Sequence, residues 1–479
     1  MTTVPSRSAD SADTAPPTQA PLAKEASPRS QLERIALVLA SGATFLAVLD
    51  TTVVNIAFAD LRKSFPHEAL ANLTWVVTSY TIVFAALLAV AGRVADVVGR
   101  RRLFLWSTAL FTLASLLSGV AQGLDMLVIA RAVQGLGAAG MIPSALGLVL
   151  AHTPPQRRHA AIGVWGAVGS LAAAVGPSLG GLLVDVWGWR AVFLINLPLG
   201  LVIVALTALR LTADRTSGRR MPDPVGTVAL ALGLGGLVFG VTQGSDWGWS
   251  DGRVLGLLIG GAVFTVLALV LSRRHSSPAI EWDLWRSRVF AGTNVSSFFF
   301  GASMYAYLLS SLLFLNAVWN YSELKAGLAV SPGAFAAAIG AVAVGRFAGP
   351  SRQWIAVGIG SALFGGSLFA LYGLLGTDQQ YLAVMLPIGI VAGIGIGAAL
   401  TGISNAAAAA LPADRFAAGT GLLMTSRQVG GALGIAVFAA ILSDSGVIGP
   451  HGYLRAFLAS AICAVIAAVS AVGLRERTR

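Results

Sequence analysis

Charged residues are scarce: Asp, Glu, Lys and Arg make up only 11% of the chain, less than half of the roughly one quarter that a water-soluble protein carries. That shortage excludes the soluble classes. A single cysteine, Cys463, leaves no intrachain disulfide and no thiolate metal site to build. The five histidines, His67, His152, His159, His275 and His451, all read as loop residues, so imidazole chemistry inside the apolar runs is not expected. Lysine is nearly absent, three residues against 29 arginines. None of the three sits in a Gly-x-x-x-x-Gly-Lys-Ser/Thr loop, which excludes primary ATP-driven work by this chain alone. Without clustered His or Cys and without a loop large enough for a catalytic domain, the chain reads as neither an enzyme nor a metal or cofactor protein.

What the chain has instead is apolar length. Of its 479 residues 56% are hydrophobic, the mean hydropathy is +0.78, and the apolar residues fall in runs of about 20, enough for a helix to cross a hydrocarbon core of about 30 Å. Backbone polar groups in lipid must be satisfied within the segment, so each run is a helix. The expected fold is an all-α polytopic membrane protein with about fourteen transmembrane helices. Residues 1–33, rich in Ser, Ala, Pro and Thr, read as a disordered tail. The run from Ile35 is too long for a signal-peptide core and reads as an uncleaved first span.

The net charge of +11 would suggest a nucleic-acid partner in a soluble protein, but here the charges occupy alternate gaps between spans. About 24 Lys and Arg residues, among them Arg100 to Arg102, Arg157, Arg158, Arg219, Arg220, Arg273, Arg274, Arg475 and Arg477, fall on the side shared by both termini, against about six on the other. The positive-inside rule then puts both termini in the cytoplasm of a cell with the chain in its cytoplasmic membrane. An even number of spans agrees. The basic balance is a topology signal, and no nucleic-acid partner is expected.

A weak internal repeat sets Gly92-Arg93-Val94-Ala95-Asp96-Val97-Val98-Gly99-Arg100-Arg101-Arg102, after the second span, beside Gly345-Arg346-Phe347-Ala348-Gly349-Pro350-Ser351-Arg352, after the tenth. Repeated halves are how many secondary transporters build a site near the membrane midplane. Eight spans separate the two loops where six would suffice, so two helices are inserted. The expected organisation is a six-helix bundle over 34–211, two extra helices with their linkers over 212–288, a second six-helix bundle over 289–475 and a tail over 476–479.

Among Asp, Glu, Lys and Arg, only Asp50, Arg131 and Arg427 lie well inside the apolar spans. An ionised side chain at mid-helix costs at least about 2.5–3.5 kcal/mol on insertion scales, so such residues face a cavity or a partner. Desolvation and a neighbouring arginine push a carboxyl pKa in opposite directions. An Asp50 whose exposure alternates could therefore bind and release a proton. An arginine does not release its proton, so Arg131, with Gln134 on the same helical face, is expected to tune a carboxylate or hold water. Which carboxylate that is stays open. Gly176-Pro177 should bend its helix. Tyr305, with Phe300 and Tyr307 in the ninth span, is a candidate for an apolar substrate cavity. Trp187, Trp189, Trp247 and Trp249 fall at span ends, where an interfacial belt is expected.

The loop from Gly92 to Leu103 resembles the signature between the second and third helices of the major facilitator superfamily. Leu49-Asp50-Thr51-Thr52-Val53-Val54-Asn55-Ile56-Ala57 resembles the first-helix signature of its fourteen-span drug:proton antiporters, the EmrB/QacA branch. Arg131-Ala132-Val133-Gln134-Gly135 is similar to the fourth-helix motif whose arginine that family ties to proton transfer. Gly176-Pro177-Ser178-Leu179-Gly180-Gly181 resembles the fifth-helix motif of exporters, with Ala172 where a glycine is usual. Trp189-Arg190-Ala191-Val192-Phe193-Leu194-Ile195-Asn196-Leu197-Pro198 and Arg427-Gln428-Val429-Gly430-Gly431 also resemble this branch.

The resemblance implies two pseudo-symmetric six-helix bundles plus two inserted helices, working as a monomer that exports amphipathic drugs or antibiotics in exchange for protons. Asp50 and Arg131 would couple the proton. Gly92, Asp96, Gly99, Arg100 and Arg101 would form a conformational latch, and Gly176, Pro177, Gly180 and Gly181 a hinge. Asn55, Gln134, Tyr305 and Arg427 would line the substrate cavity. The alternative is a dedicated exporter of one endogenous metabolite, such as an antibiotic, an amino acid or a siderophore.

Overall fold

A computed structural model describes residues 28–212, 220–444 and 450–475, and these contain helices and connecting turns with no strand. Fourteen helices among the described residues are long and apolar enough to cross a membrane. The chain is an all-α, multi-pass membrane protein.

The first half comprises α1 (Pro28–Ile56), the short α2 (Phe58–Ser64), α3 (Leu70–Val98), α4 (Arg100–Gly119), α5 (Leu124–His152), α6 (Arg158–Trp187), α7 (Ala191–Leu194) and α8 (Asn196–Arg210). Then come α9 (Pro224–Trp247), α10 (Gly252–Arg274) and the short α11 (Trp282–Trp285). The second half comprises α12 (Arg288–Ala317), α13 (Glu323–Phe347), α14 (Gln353–Leu374), α15 (Leu386–Ala410), α16 (Phe416–Asp444) and α17 (Pro450–Ser470).

Several helix starts follow from capping chemistry, in which a side-chain oxygen satisfies backbone N–H groups that have no partner in the helix. Asp223 accepts from the amides of Val225 and Gly226 at 3.1 and 2.9 Å, with Pro224 at the first helical position of α9. Ser287 and Ser322 do the same for α12 and α13. Asp251 accepts from the Arg253 amide at the start of α10, and the hydrogen bond from the Arg253 side chain holds its carboxyl below the usual range.

Each half has its own core. Phe104, Phe111, Met141 and Leu146 are buried in the first. In the second, Phe300 and Tyr307 pack their rings on Phe364, and Phe314 packs on Trp319 and Phe457. The pseudo-symmetry shows where the halves meet. Gly92, near the end of α3, lies against Ala417 and Gly421 of α16. Gly345, near the end of α13, lies against Gly163 of α6. The repeated loops thus end the two helices that cross from one half to the other in equivalent ways. The repeat is imperfect in one informative place: where the first loop has Asp96, the second has Gly349.

The inserted helices α9 and α10 pack on each other through Gly236 and Gly261. They attach to α3, where Trp75 and Phe239 stack edge to face at 5.2 Å, and α9 also borders α16. They therefore flank the seam between the halves.

An ion pair of 2.9 Å between Glu33 of α1 and Arg157, just before α6, fixes the end of the bundle at which the described chain begins. The α3–α4 turn, the start of α16 and Arg475 lie at the same end, here called the termini face. The halves are joined at that face through α3 and α16, while α1 and α12 pack within their own halves.

Some expectations are corrected. Helix α1 begins at Pro28, so residues 28–33 belong to it; residues 1–27 and 476–479 lie outside the described residues. His152, His159 and His451 are in end turns of α5, α6 and α17, because those helices run past the apolar stretches. Trp189 is 1% exposed instead of interfacial. Its indole donates to Ser64 Oγ at 3.0 Å, and its ring packs on Phe65 and Phe193. Trp187 is exposed, as expected of a belt residue.

Candidate functional site

Asp50 lies on α1 with no exposure, and four polar side chains from three other helices converge around it. The Arg131 guanidinium reaches Asp50 Oδ2 at 2.6 Å, so the carboxylate that pairs with this arginine is Asp50. Gln134, one turn along α5, donates to Asp50 Oδ1 at 2.9 Å and accepts from Arg131 at 2.7 Å. Asn196, at the start of α8, donates to Asp50 Oδ1 at 3.1 Å and to Ser115 Oγ of α4 at 3.0 Å. Ser115 in turn donates to the Phe193 carbonyl at 2.9 Å. Arg131 Nε donates to the Val76 carbonyl at 3.0 Å, and the guanidinium lies over the Tyr80 ring at 4.4 Å.

A buried carboxylate is tolerated only when paired and hydrogen-bonded; here the pairing is complete, and it ties α1, α3, α4, α5 and α8 together. Asn196 and Ser115 were not singled out from the sequence as site residues. A polar residue in an apolar helix was the available signal, but serine and asparagine also bond locally to backbone, as Ser118 and Thr108 do here.

The loop residues join α3 to α16 at the termini face. Gly99 has φ of +107°, the left-handed region that favours glycine, and lets α3 turn directly into α4. Asp96 Oδ1 accepts from Arg100 Nε at 2.8 Å and from the Ala417 amide at 3.3 Å, while Oδ2 accepts from the Ala418 amide at 2.7 Å. Both amides belong to the first turn of α16, so the carboxylate caps the positive end of a helix in the other half. Arg100 adds a bond to the Ala413 carbonyl at 2.6 Å. A Cβ at Gly92 would meet the Ala417 carbonyl, so only glycine allows this approach. Arg101 makes a different contact. It turns the other way and donates to the Thr207 and Ala208 carbonyls at the end of α8, because neighbouring helical positions point about 100° apart.

A second bridge lies beside these contacts. Glu281, in the segment after α10, pairs with Arg93 of α3 at 2.7 Å and with Arg415, just before α16, at 2.9 Å. Arg93 and Glu281 are both buried. This carboxylate joins both halves and the inserted unit at one point, on the wall of a cavity of about 970 Å3 that Arg220, Arg273, Trp282 and Arg286 also line. Sequence reading missed it, because Glu281 sits in a polar linker with no motif around it.

Helix α6 continues through Pro177 and is held between the halves. Gly176 and Gly180 lie against Thr52 and Val53 of α1, while Pro177 and Gly181 lie against Gly327 and Leu324 of α13.

Of the residues expected at a substrate cavity, Gln134 is fully buried in the Asp50 cluster and lines no open space. The side chain of Asn55 lies outside the described residues. Phe300 and Tyr307 belong to the core. Tyr305 turns instead toward α16, where its hydroxyl donates to Gln428 Oε1 at 2.6 Å, and Arg427 is its neighbour there. The structure therefore brings Asp50, Arg131 and Gln134 together in one half, keeps Tyr305 and Arg427 together in the other, and sets the Asp96 contacts apart from both.

Comparison with known proteins agrees with this architecture. The sequence profile of the Major Facilitator Superfamily matches residues 40–435. The chain is 33% identical over 429 residues to the multidrug resistance protein Stp of Mycobacterium tuberculosis, covering 88% of this chain and 78% of that one. It is 30% identical over 436 residues to the methylenomycin A resistance protein of Streptomyces coelicolor, covering 90% of each. Among solved structures, the human organic anion transporter MFSD10 superposes with a TM-score of 0.65 over 92% of this chain and 99% of that one, at 14% identity, a likeness of fold alone.

Proposed function

The chain belongs to the major facilitator superfamily, and from that premise we propose that it is a proton-coupled antiporter exporting amphipathic drugs or antibiotics by alternating access. In this reading it works as a monomer in the cytoplasmic membrane, with the termini face toward the cytoplasm. The names of its relatives, resistance proteins against several drugs or one antibiotic, support efflux as the task.

The observation that carries the proton step is the sealed pair of Asp50 and Arg131. With the carboxylate ionised, the pair is neutral as a whole and both carboxylate oxygens are hydrogen-bonded. A proton added to Asp50 removes one charge, weakens its hold on Arg131, and leaves that cation seeking water or another anion. The two protonation states therefore favour different packings of α1 against α5. Helix α6, wedged between α1 and α13, carries a change at α1 toward the other half. Release of Asp96 from the first turn of α16 then opens the termini face. Each proton entering down a membrane potential contributes about 2.3 kcal/mol per 100 mV, enough to shift a two-state equilibrium by tens of fold.

The test is uptake of fluorescent dyes of positive, neutral and negative charge into inverted membrane vesicles, with and without a proton gradient. Gradient-driven accumulation that Asp50→Asn abolishes is the expected result. Full gradient-driven uptake by Asp50→Asn would overturn the role given to Asp50. The second reading, a dedicated exporter of one endogenous compound, draws on the relative named for resistance to methylenomycin A alone; it predicts accumulation of one compound and no dye of the panel.

A further inference from the structure

Arg427 is the charge that the Asp50 cluster leaves uncompensated. The carboxylate within the spans is already bound: Arg131 of α5 holds Asp50 of α1, and Asp96, at the end of α3, is engaged by Arg100 and α16. Arg427 lies about three turns into α16, well inside the membrane. Among the described residues no carboxylate comes within ion-pair distance of it.

Among the described residues its one side-chain hydrogen-bonding contact is to the Met424 thioether, one turn back on the same helix. A thioether is a weak acceptor and a guanidinium has five donors, so most of its N–H groups find no acceptor among the described residues. Those nitrogens are not sealed in packing either. They are absent from the buried polar atoms that lack a partner, and Arg427, Gln428 and Tyr305 are all half-buried. They open into a space.

That space lies between the halves. Tyr305 is within electrostatic reach of Tyr80 of α3, the residue whose ring covers Arg131. Close packing fixes the arginine's base, since a Cβ at Gly301 would meet the Arg427 carbonyl and one at Gly431 would meet the Tyr305 ring. A lone cation held in a low-dielectric interior is costly unless something supplies the anion. A guanidinium fork binds a planar carboxylate through two parallel hydrogen bonds, and Gln428, its carbonyl taken up by Tyr305, keeps its amide donors beside it.

We propose that Arg427 is the counter-ion of the substrate, and that this space takes an amphipathic molecule bearing an acidic group, a carboxylate or an acidic phenol. The proposal rests on the efflux reading and narrows its substrate class to organic anions. Cations are repelled from the same place, because the span interior holds one positive charge more than it holds negative.

The experiment uses two xanthene dyes of similar size, anionic fluorescein and cationic rhodamine 123, with wild type, Arg427→Gln, Arg427→Lys and Tyr305→Phe. Equilibrium binding to detergent-purified full chain is read by fluorescence anisotropy, and gradient-driven uptake is read in inverted vesicles. Wild type should bind fluorescein at least tenfold more tightly than rhodamine 123. Arg427→Gln should lose that preference, while Arg427→Lys should keep most of it, with unchanged elution and melting temperature showing that all are folded. Equal or tighter binding of rhodamine 123 by wild type, no binding of fluorescein, or fluorescein binding unchanged in Arg427→Gln would each overturn the proposal. Binding that depends on Arg427 without uptake of either dye would sustain the substrate class and overturn the efflux reading instead.

Discussion

At the scale of single residues, burial changes the worth of every charge. Asp50 and Arg131 form an ion pair with almost no exposure on either side, and such a pair adds little net stability while costing about 3–5 kcal/mol when one partner is removed. Asp50→Ala and Arg131→Ala should therefore each lower the melting temperature of the purified protein strongly. The double variant should lose less than the sum of the two, since it leaves no orphaned charge. Asn196→Ala removes one donor to a charged acceptor, a loss of about 1.5–3 kcal/mol, and should lower the same melting temperature by less than either change to the pair. A fall as large as that of Asp50→Ala would mean that Asn196 also holds α8 in place by packing.

At the scale of elements, a helix start in one half is capped by a side chain from the other. Asp96 satisfies two amides of α16, and Glu281 supplies the anion shared by Arg93 and Arg415 beside them. Both carboxylates tie the halves together at the termini face, one from α3 and one from the inserted segment. In a chain with Cys463→Ser and Thr420→Cys, a position now 3% exposed, Asp96→Asn should raise the rate of labelling by a membrane-impermeant maleimide applied from that face. A shift of about 1–2 kcal/mol between closed and open forms corresponds to a rate increase of roughly 5–30-fold. Glu281→Gln should act in the same direction, and the two together should exceed either alone. An unchanged rate in Glu281→Gln would make that bridge a folding contact of the inserted unit only.

At the scale of the whole molecule, the halves either move or they do not, and the glycine contacts say where to look. A disulfide between Gly166→Cys and Ala341→Cys, whose Cβ positions lie 3.8 Å apart where α6 and α13 meet across the halves, should arrest dye transport and release it on reduction. One between Gly240→Cys and Leu257→Cys, within the pair formed by α9 and α10 and meeting only side-chain atoms there, should leave transport intact. If the first cross-link left transport unaffected, the closed termini face would not be a stage in the cycle.

The sequence by itself determined the class of the protein. Hydrophobic runs of membrane-spanning length force helices wherever water cannot satisfy the backbone, so the fourteen spans were legible without tertiary information. The two related Gly-rich loops, eight spans apart, also disclosed the pseudo-symmetry and the inserted pair. Asp50, Arg131 and Arg427 stood out because charge inside an apolar run is costly and needs a reason. What the sequence left undecided is which groups supply that reason. Asp50 and Arg131 are 81 positions apart, and Asp96 and Ala418 are 322 apart, and no local period connects them. Only the packed helices decided that Gln134 belongs to the carboxylate and not to a cavity, that Arg101 caps α8 and not α16, and that Glu281, in an unremarkable linker, bridges both halves. Apolar burial acts residue by residue and can be read along the chain; pairing of charges depends on which helices are neighbours, which is settled only when the whole bundle closes.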